Sequence, residues 1–155
     1  MVETLTISPR IIEALYCEAL VLSDEVRAAF TLSGRLEVAG ADEDLTRAAL
    51  SSEGLRTTTR MMHAIAWLLN HRAYFMGEIS EIQLRRHGRL NPDRRSHDPG
   101  EVARLDPPIR DLVAATQRFY GRLLRLDHAW RLSGEVPAPS AIQRLRDRIE
   151  QRLAG

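Results

Sequence analysis

The chain contains no lysine; all 22 of its basic residues are arginine. Guanidinium groups pair with carboxylates and stack on aromatic rings better than ammonium groups do, so these arginines are suited to structural ion pairs. Cys17 is the only cysteine, which excludes an intrachain disulfide. Aromatic residues make up 5% of the chain. None stands among Arg85, Arg86, Arg89, Arg94 and Arg95, which argues against stacking on a single nucleic-acid strand. No apolar run approaches the ~18 residues of a transmembrane helix. The opening "MVETLTISPR" lacks a basic segment followed by an apolar one, so no secretory signal is expected. Formal net charge is +1, too small for an overall field that selects nucleic acid or an anionic membrane. The expectation is a soluble cytoplasmic chain.

Chemistry-bearing patterns are also missing. There is no Gly-rich phosphate loop, CxxC, HExxH or GxSxG. His63 and His71 would stand about 12 Å apart along a helix, too far to share a metal ion. His87, His97 and Asp98 flank a polar loop and read as solvated groups. Cys17, among small apolar residues, reads as packing. The sequence therefore predicts no catalytic residue, metal or cofactor.

What is present is helical periodicity, with no strand-like alternation. Ser8-Pro9 opens a first helix, whose Ile12, Leu15, Ala19, Leu22, Val26 and Phe30 form one face. Gly34 marks its end. On the opposite side Ala14, Cys17, Val21 and Ala28 would let another helix approach closely. "ADEDLTRAAL" predicts a short helix, separated by "SSEG" from a second long one, although a single helix kinked near Gly54 also fits. Gly77 stops the second helix. Ser80 and Gln83 are spaced as a capping box, and Gly88 ends that element. Residues 89–106 read as a long polar loop. Asp106-Pro107-Pro108 starts a third long helix with Ile109, Leu112, Thr116, Phe119, Leu123, Leu126 and Trp130 on one face. "SGEVPAPS" reads as a linker. A last short helix opens with the capping-box spacing of Ser140 and Gln143 and carries Ile142, Leu145, Ile149 and Leu153. The predicted fold is all-α: an antiparallel three-helix bundle over residues 1–134 with short accessory helices, then a linker and amphipathic helix over 135–155.

The second long helix has three stripes. Leu55, Thr59, Met62, Ala66, Leu69, Ala73 and Met76 alternate steps of four and three, which predicts a core seam. Thr58, Met61, Ile65, Leu68 and Phe75 form a second seam about a quarter-turn away. Two seams need two partners: two helices of the bundle, or one helix and a second subunit. Met61, Ile65, Leu68 and Phe75, with Ala14, Cys17, Val21 and Ala28, are the expected homodimer residues. The third stripe, Arg56, Arg60, His63, Trp67, Asn70 and Tyr74, has the composition of a protein-binding surface. The competing reading is that Trp67 packs on a neighbouring helix with Arg60 stacked over it.

The segment "SSEGLRTTTRMMHAIAWLLNHRAYFMGEIS" resembles the central segment of the alphaproteobacterial RcdA family, regulators of CtrA degradation. Glu53, Leu55, Arg56, Thr58, Thr59, Arg60, Met62, Trp67, Leu68, Leu69, Arg72, Ala73, Gly77 and Glu78 carry that resemblance. "LYCEALVLSDEVRAAF" and "LDPPIRDLVAATQRFYGRLLRLD" resemble the flanking helices more loosely, so the likeness spans roughly residues 10 to 131. It implies a dimeric three-helix bundle without enzymatic activity. Such a protein is an adaptor that tethers cargo proteins to the ClpXP protease alongside a priming factor, and so regulates cell-cycle proteolysis. The tail departs from the family: "SAIQRLRDRIEQRLAG" is amphipathic where family tails look unstructured. Two alternatives stand beside the adaptor. One is a nucleic-acid-associated regulator using the Arg85–Arg95 cluster. The other is a helical bundle that binds a small molecule between its second and third long helices.

Overall fold

The computed structural model describes residues 7–33, 43–93, 99–134 and 141–153. The expectations for Gly34, Arg94, Arg95, His97, Asp98, the Ser140 cap and the side chain of Ile142 fall outside the described residues. Six helices occur among them: α1 (Pro9–Ser33), α2 (Glu43–Phe75), α3 (Glu81–His87), α4 (Pro99–Ala103), α5 (Pro107–Ser133) and α6 (Ala141–Leu153). The described residues contain no strand, and the fold is all-α as the periodicity predicts.

Local signals set the helix ends. Ser8 Oγ accepts the Ile11 backbone N–H at 3.3 Å and starts α1. After α2 the chain turns at Gly77 with φ 78°, a left-handed conformation that glycine adopts without steric cost. There the Gly77 N–H donates to the Tyr74 carbonyl at 3.0 Å and the Glu78 N–H to the Ala73 carbonyl at 2.9 Å, which closes a Schellman motif. Ser80 and Gln83 form the reciprocal capping box of α3. Asp106 stands at the N-cap of α5, with prolines in its first turn.

Two boundaries differ from expectation. α2 is one helix of 33 residues, about 50 Å long, that continues through "SSEG", which bears out the single-helix alternative and not the separate short helix. Gly54 is there for close approach: a Cβ on it would stand 3.0 Å from Cδ1 of Phe30 on α1. The 89–106 connection also contains α4, and Leu90 and Leu105 bury themselves at its two ends.

Side-chain pairs fix the helix directions. Arg72 meets Glu13, and Gly54 meets Phe30, so α1 and α2 are antiparallel. Arg122 meets Glu18, and α5 is likewise antiparallel to α1. Against α2, however, α5 runs parallel: Arg60 reaches Thr116, Trp67 reaches Asp127, and His71 meets Trp130. The expected antiparallel bundle therefore holds for α1 against each neighbour and not for α2 against α5. The connection through α3 and α4 carries the chain back along the bundle before α5 starts.

The core follows from these faces. Ile12, Leu15 and Ala19 of α1 pack with Met61, Ala64, Trp67 and Leu68 of α2, with Phe119, Tyr120 and Leu123 of α5, and with Leu90. Ala19 and Ala64, both fully buried, leave room for the helices to approach. A second cluster of Leu105, Ile109 and Val113 closes the other end against Phe30 and Leu50. Each large side chain buried this way contributes about 1.5–3 kcal/mol.

Candidate functional site

The polar stripe of α2 is buried at Arg60 and Trp67. Arg60 is buried: its Nε pairs with Asp93 at 2.6 Å and its Nη1 donates to Thr116 Oγ1 at 2.9 Å. Thr116 passes its own hydroxyl hydrogen to the Val113 carbonyl at 2.7 Å. Arg56 bridges Glu53, at 3.4 Å, and Glu101 of α4, at 3.2 Å. Tyr120 donates its hydroxyl to the Asn91 carbonyl. Burial pushes that phenol up to about 12, with the nearby Asp93 carboxylate adding to the effect. These bonds pin the connection between α3 and α4 onto α2 and α5. Arg60 Nη2 has no hydrogen-bond partner among the described residues.

Further along α2, Asp127 is the node. Its carboxylate accepts from Trp67 Nε1 at 3.0 Å and from Arg131 Nε at 3.1 Å. Arg131 also donates to the Arg85 carbonyl at 2.9 Å. Arg85 lies over the Trp130 ring at 4.2 Å and pairs with Glu81 at 2.9 Å, so α3 is clamped to the end of α5. His71 is buried between Trp67, at 4.1 Å between ring centroids, and Trp130, at 5.2 Å. Neither of its ring nitrogens has a partner among the described residues. Burial lowers its pKa to about 4, against an opposing pull from Asp127, so the ring is neutral near pH 7.

Arg60 and Trp67 are thus corrected from surface candidates to buried anchors: α5 supplies Thr116 and Asp127, the connection after α3 supplies Asp93, and Trp67 packs on a neighbouring helix as the competing reading has it. Within that stripe His63 is exposed, and Asn70 and Tyr74 are half-buried. The two apolar seams are also exchanged. Met61 and Leu68, expected at a dimer face, are buried against α1 and α5, while Ile65 and Phe75 pack half-buried on the same core. The seam expected in the core faces outward: Leu55, Met62, Leu69 and Met76 are 62%, 65%, 43% and 69% exposed. They recur every seventh residue along α2. Exposed Ala66 and half-buried Thr59 and Ala73 lie between them. Apolar side chains at alternating steps of four and three are the spacing on which knobs-into-holes packing rests.

On α1, Ala14, Cys17, Val21 and Ala28 are exposed, so Cys17 is not a packing residue as expected. Cys17 and Val21 line a groove of about 510 Å³ between α1 and α5. A second, mainly apolar groove of about 490 Å³ lies between α1 and α2, lined by Val26, Phe30, Met61, Met62 and Ile65. It adjoins the outward seam through Met62. Between α2 and α5, where the small-molecule alternative would put its site, the opening is about 190 Å³ and is lined by Arg56, Thr59, Arg60, His63, Asp93 and Tyr120. Drug-sized ligand sites are typically about 300 Å³ or more. Arg85, the first arginine of the 85–95 cluster, pairs with Glu81 and stacks on Trp130. On α6, Leu145, Ile149 and Leu153 are 61%, 50% and 82% exposed.

Among the described residues no group of three or more His, Cys, Asp or Glu is placed to hold a metal ion. No helix there is long and apolar enough to cross a membrane. What the arrangement offers is a rod anchored on one side by the Arg60 and Trp67 hydrogen bonds and presenting apolar side chains on the other. The outward seam was legible as a heptad repeat; its direction was not. The family described as "Protein of unknown function (DUF1465)" matches residues 4–153. No curated protein and no solved structure matches the chain.

Proposed function

The chain belongs to the DUF1465 family, and from that premise we propose that it is a non-enzymatic adaptor of the RcdA type. In this reading it holds cargo proteins and the ClpXP protease complex on one scaffold. The observation that carries the reading is the outward seam of α2, with large apolar side chains on a helix fixed from behind. Apolar patches of this kind on a folded domain mark interaction sites. A tether needs no reacting group: two modest contacts on one rigid body gain about 10²–10⁴ in avidity. The RcdA likeness of residues 51–80 covers this same seam, since Leu55, Met62, Leu69 and Ala73 are among the residues that carry it. The α2 seam replaces Met61 and Leu68 as the surface offered to a second copy or to a protein partner. Residence in the cytoplasm, where ClpXP acts, belongs to the same proposal.

The test uses the full chain in its native cell. Co-purification under mild salt, with bound proteins identified by mass spectrometry, is compared between the wild type and a Met62→Glu/Leu69→Glu variant. Both side chains are exposed, so helicity stays unchanged. The adaptor reading expects ClpX or its priming factor among the captured proteins, reduced in the variant. It also expects a captured cargo to be degraded more slowly when the chain is deleted. Equal capture by both forms would remove the seam from the interface, and unchanged cargo lifetimes would end the adaptor reading.

A further inference from the structure

Two apolar ridges on this chain are exposed, and the shorter is short enough to lie along the longer. On α2 the ridge from Met62 through Leu69 to Met76 extends about 21 Å. On α6 the ridge of Leu145, Ile149 and Leu153 extends about 12 Å. α6 has only 13 residues, and a free helix of about 12–15 residues or fewer is marginal in water. It needs a surface to lie on.

The topology supplies one within reach. Because α5 runs parallel to α2, with Trp130 beside His71, the end of α5 is level with the Met76 end of the ridge. The chain from Gly134 to Ala141 can span about 23 Å when extended, at about 3.3 Å per residue. Passing from α5 across the end of α2 to a helix on its outer side takes about 16–20 Å, two helix–helix spacings of about 8–10 Å each. α6 would then run back along α2, antiparallel to it. Leu145, Ile149 and Leu153 would fit between Met76, Leu69 and Met62, with Ala66 and Ala73 as the small residues opposite them. A short tether gives a segment an effective concentration of order mM, which favours its own chain over a free competitor.

We infer that α6 is a tethered ligand for the outer face of α2 in its own chain, and so competes with any outside partner for that face. The contact itself does not depend on ClpXP. Its regulatory consequence, that a partner must first displace α6, rests on the adaptor reading.

The experiment uses the isolated full-length chain with [¹³C-methyl]methionine, in a Cys17→Ser background carrying Arg148→Cys labelled with a nitroxide. Arg148 is exposed beside the α6 ridge. The expected result is loss of the Met62 and Met76 methyl signals when the nitroxide is oxidised. That loss is reversed by Leu145→Asp/Ile149→Asp. It is absent when ¹³C chains without nitroxide are mixed with labelled chains lacking ¹³C. Retained signals in the singly labelled chain would overturn the inference. So would loss that survives the double substitution, or loss that appears in the mixed sample, which would place α6 on a second copy. None of these outcomes depends on a protease, so the inference fails or stands separately from the adaptor reading.

Discussion

The inner and outer sides of α2 depart from the usual distribution of a surface helix: the inner side mixes the apolar Met61, Ala64 and Leu68 with buried polar groups, and the outer side carries a large apolar seam. Inward, toward α5, stand Arg60, Trp67 and His71, with Glu53 and Thr57 also buried. Outward stand Leu55, Met62, Leu69 and Met76. A polar group taken out of water costs several kcal/mol unless its hydrogen bonds are replaced. On the inner side Arg60 and Trp67 meet that condition with bonds to Asp93, Thr116 and Asp127, while the ring nitrogens of His71 and the hydroxyl of Thr57 have no partner among the described residues. The outer side leaves apolar area to be covered by something else. The difference separates two tasks on one rod: hydrogen-bond geometry fixes where α2 sits, and the free apolar side is left for association.

The strongest way to break this contrast is at Trp67. Trp67→Ala removes a buried ring and the donor to Asp127, and should lower unfolding stability by about 3–5 kcal/mol in urea titration. A loss below 1 kcal/mol would mean that the inner side does not anchor the helix. The acid response of His71 is the next largest effect. Its folded-state pKa of about 4 lies below the 6.5 of an unfolded histidine, so as pH falls the unfolded chain takes up the proton first. The contribution is complete above about pH 6.5, drains away as pH falls to about 4, and totals about 3 kcal/mol. His71→Phe should flatten that part of the stability profile, measured by urea unfolding at pH 7 and pH 4.5. A profile identical to wild type would place the titration elsewhere.

Asp127 offers a finer cut. Asp127→Asn keeps the shape and a carbonyl for Trp67 but removes the charge that Arg131 faces at 3.1 Å. The expected loss is about 1–3 kcal/mol, the range for a charge-assisted bond with one side removed. Because Arg131 also holds the Arg85 carbonyl, backbone amides of α3 should exchange faster in the same variant. Unchanged exchange across Glu81–His87 would disconnect α3 from this node.

How much of this was readable in the sequence depends on the kind of signal. Helix type and ends were legible where one residue's chemistry decides them: Ser8, Gly77, the Ser80–Gln83 box and Pro107-Pro108 all act where expected. The α1 face of Ile12, Leu15, Ala19 and Val26 is buried as its spacing predicts. α2 misled because it carries apolar seams on two sides. Periodicity says that residues share a face, and it cannot say which face turns inward. The deciding partners, Asp93, Thr116 and Asp127, lie 33, 56 and 60 positions away in the chain. Their pairing depends on α5 running parallel to α2, which no local pattern announces. Gly54 misled for a related reason: in sequence it punctuates, whereas in the fold it makes room for Phe30.

The outer side should answer in the opposite sense from Trp67, with a small effect on folding and a clear one on association. Leu69→Glu places a charge on a half-open surface of α2, so unfolding stability should stay within about 0.5 kcal/mol of wild type. Met62→Glu, on the more exposed neighbouring turn, should behave the same way. Light scattering of both variants against wild type over a range of concentrations then sharpens the contrast. A wild-type chain that pairs through this seam once α6 is displaced shows a mass that rises with concentration, while both variants remain monomeric because like charges are brought together in an apolar contact. If instead Leu69→Glu destabilises the chain as much as Trp67→Ala does, Leu69 is part of the folded core in the way Trp67 is, and the distinction between an anchoring side and an associating side disappears.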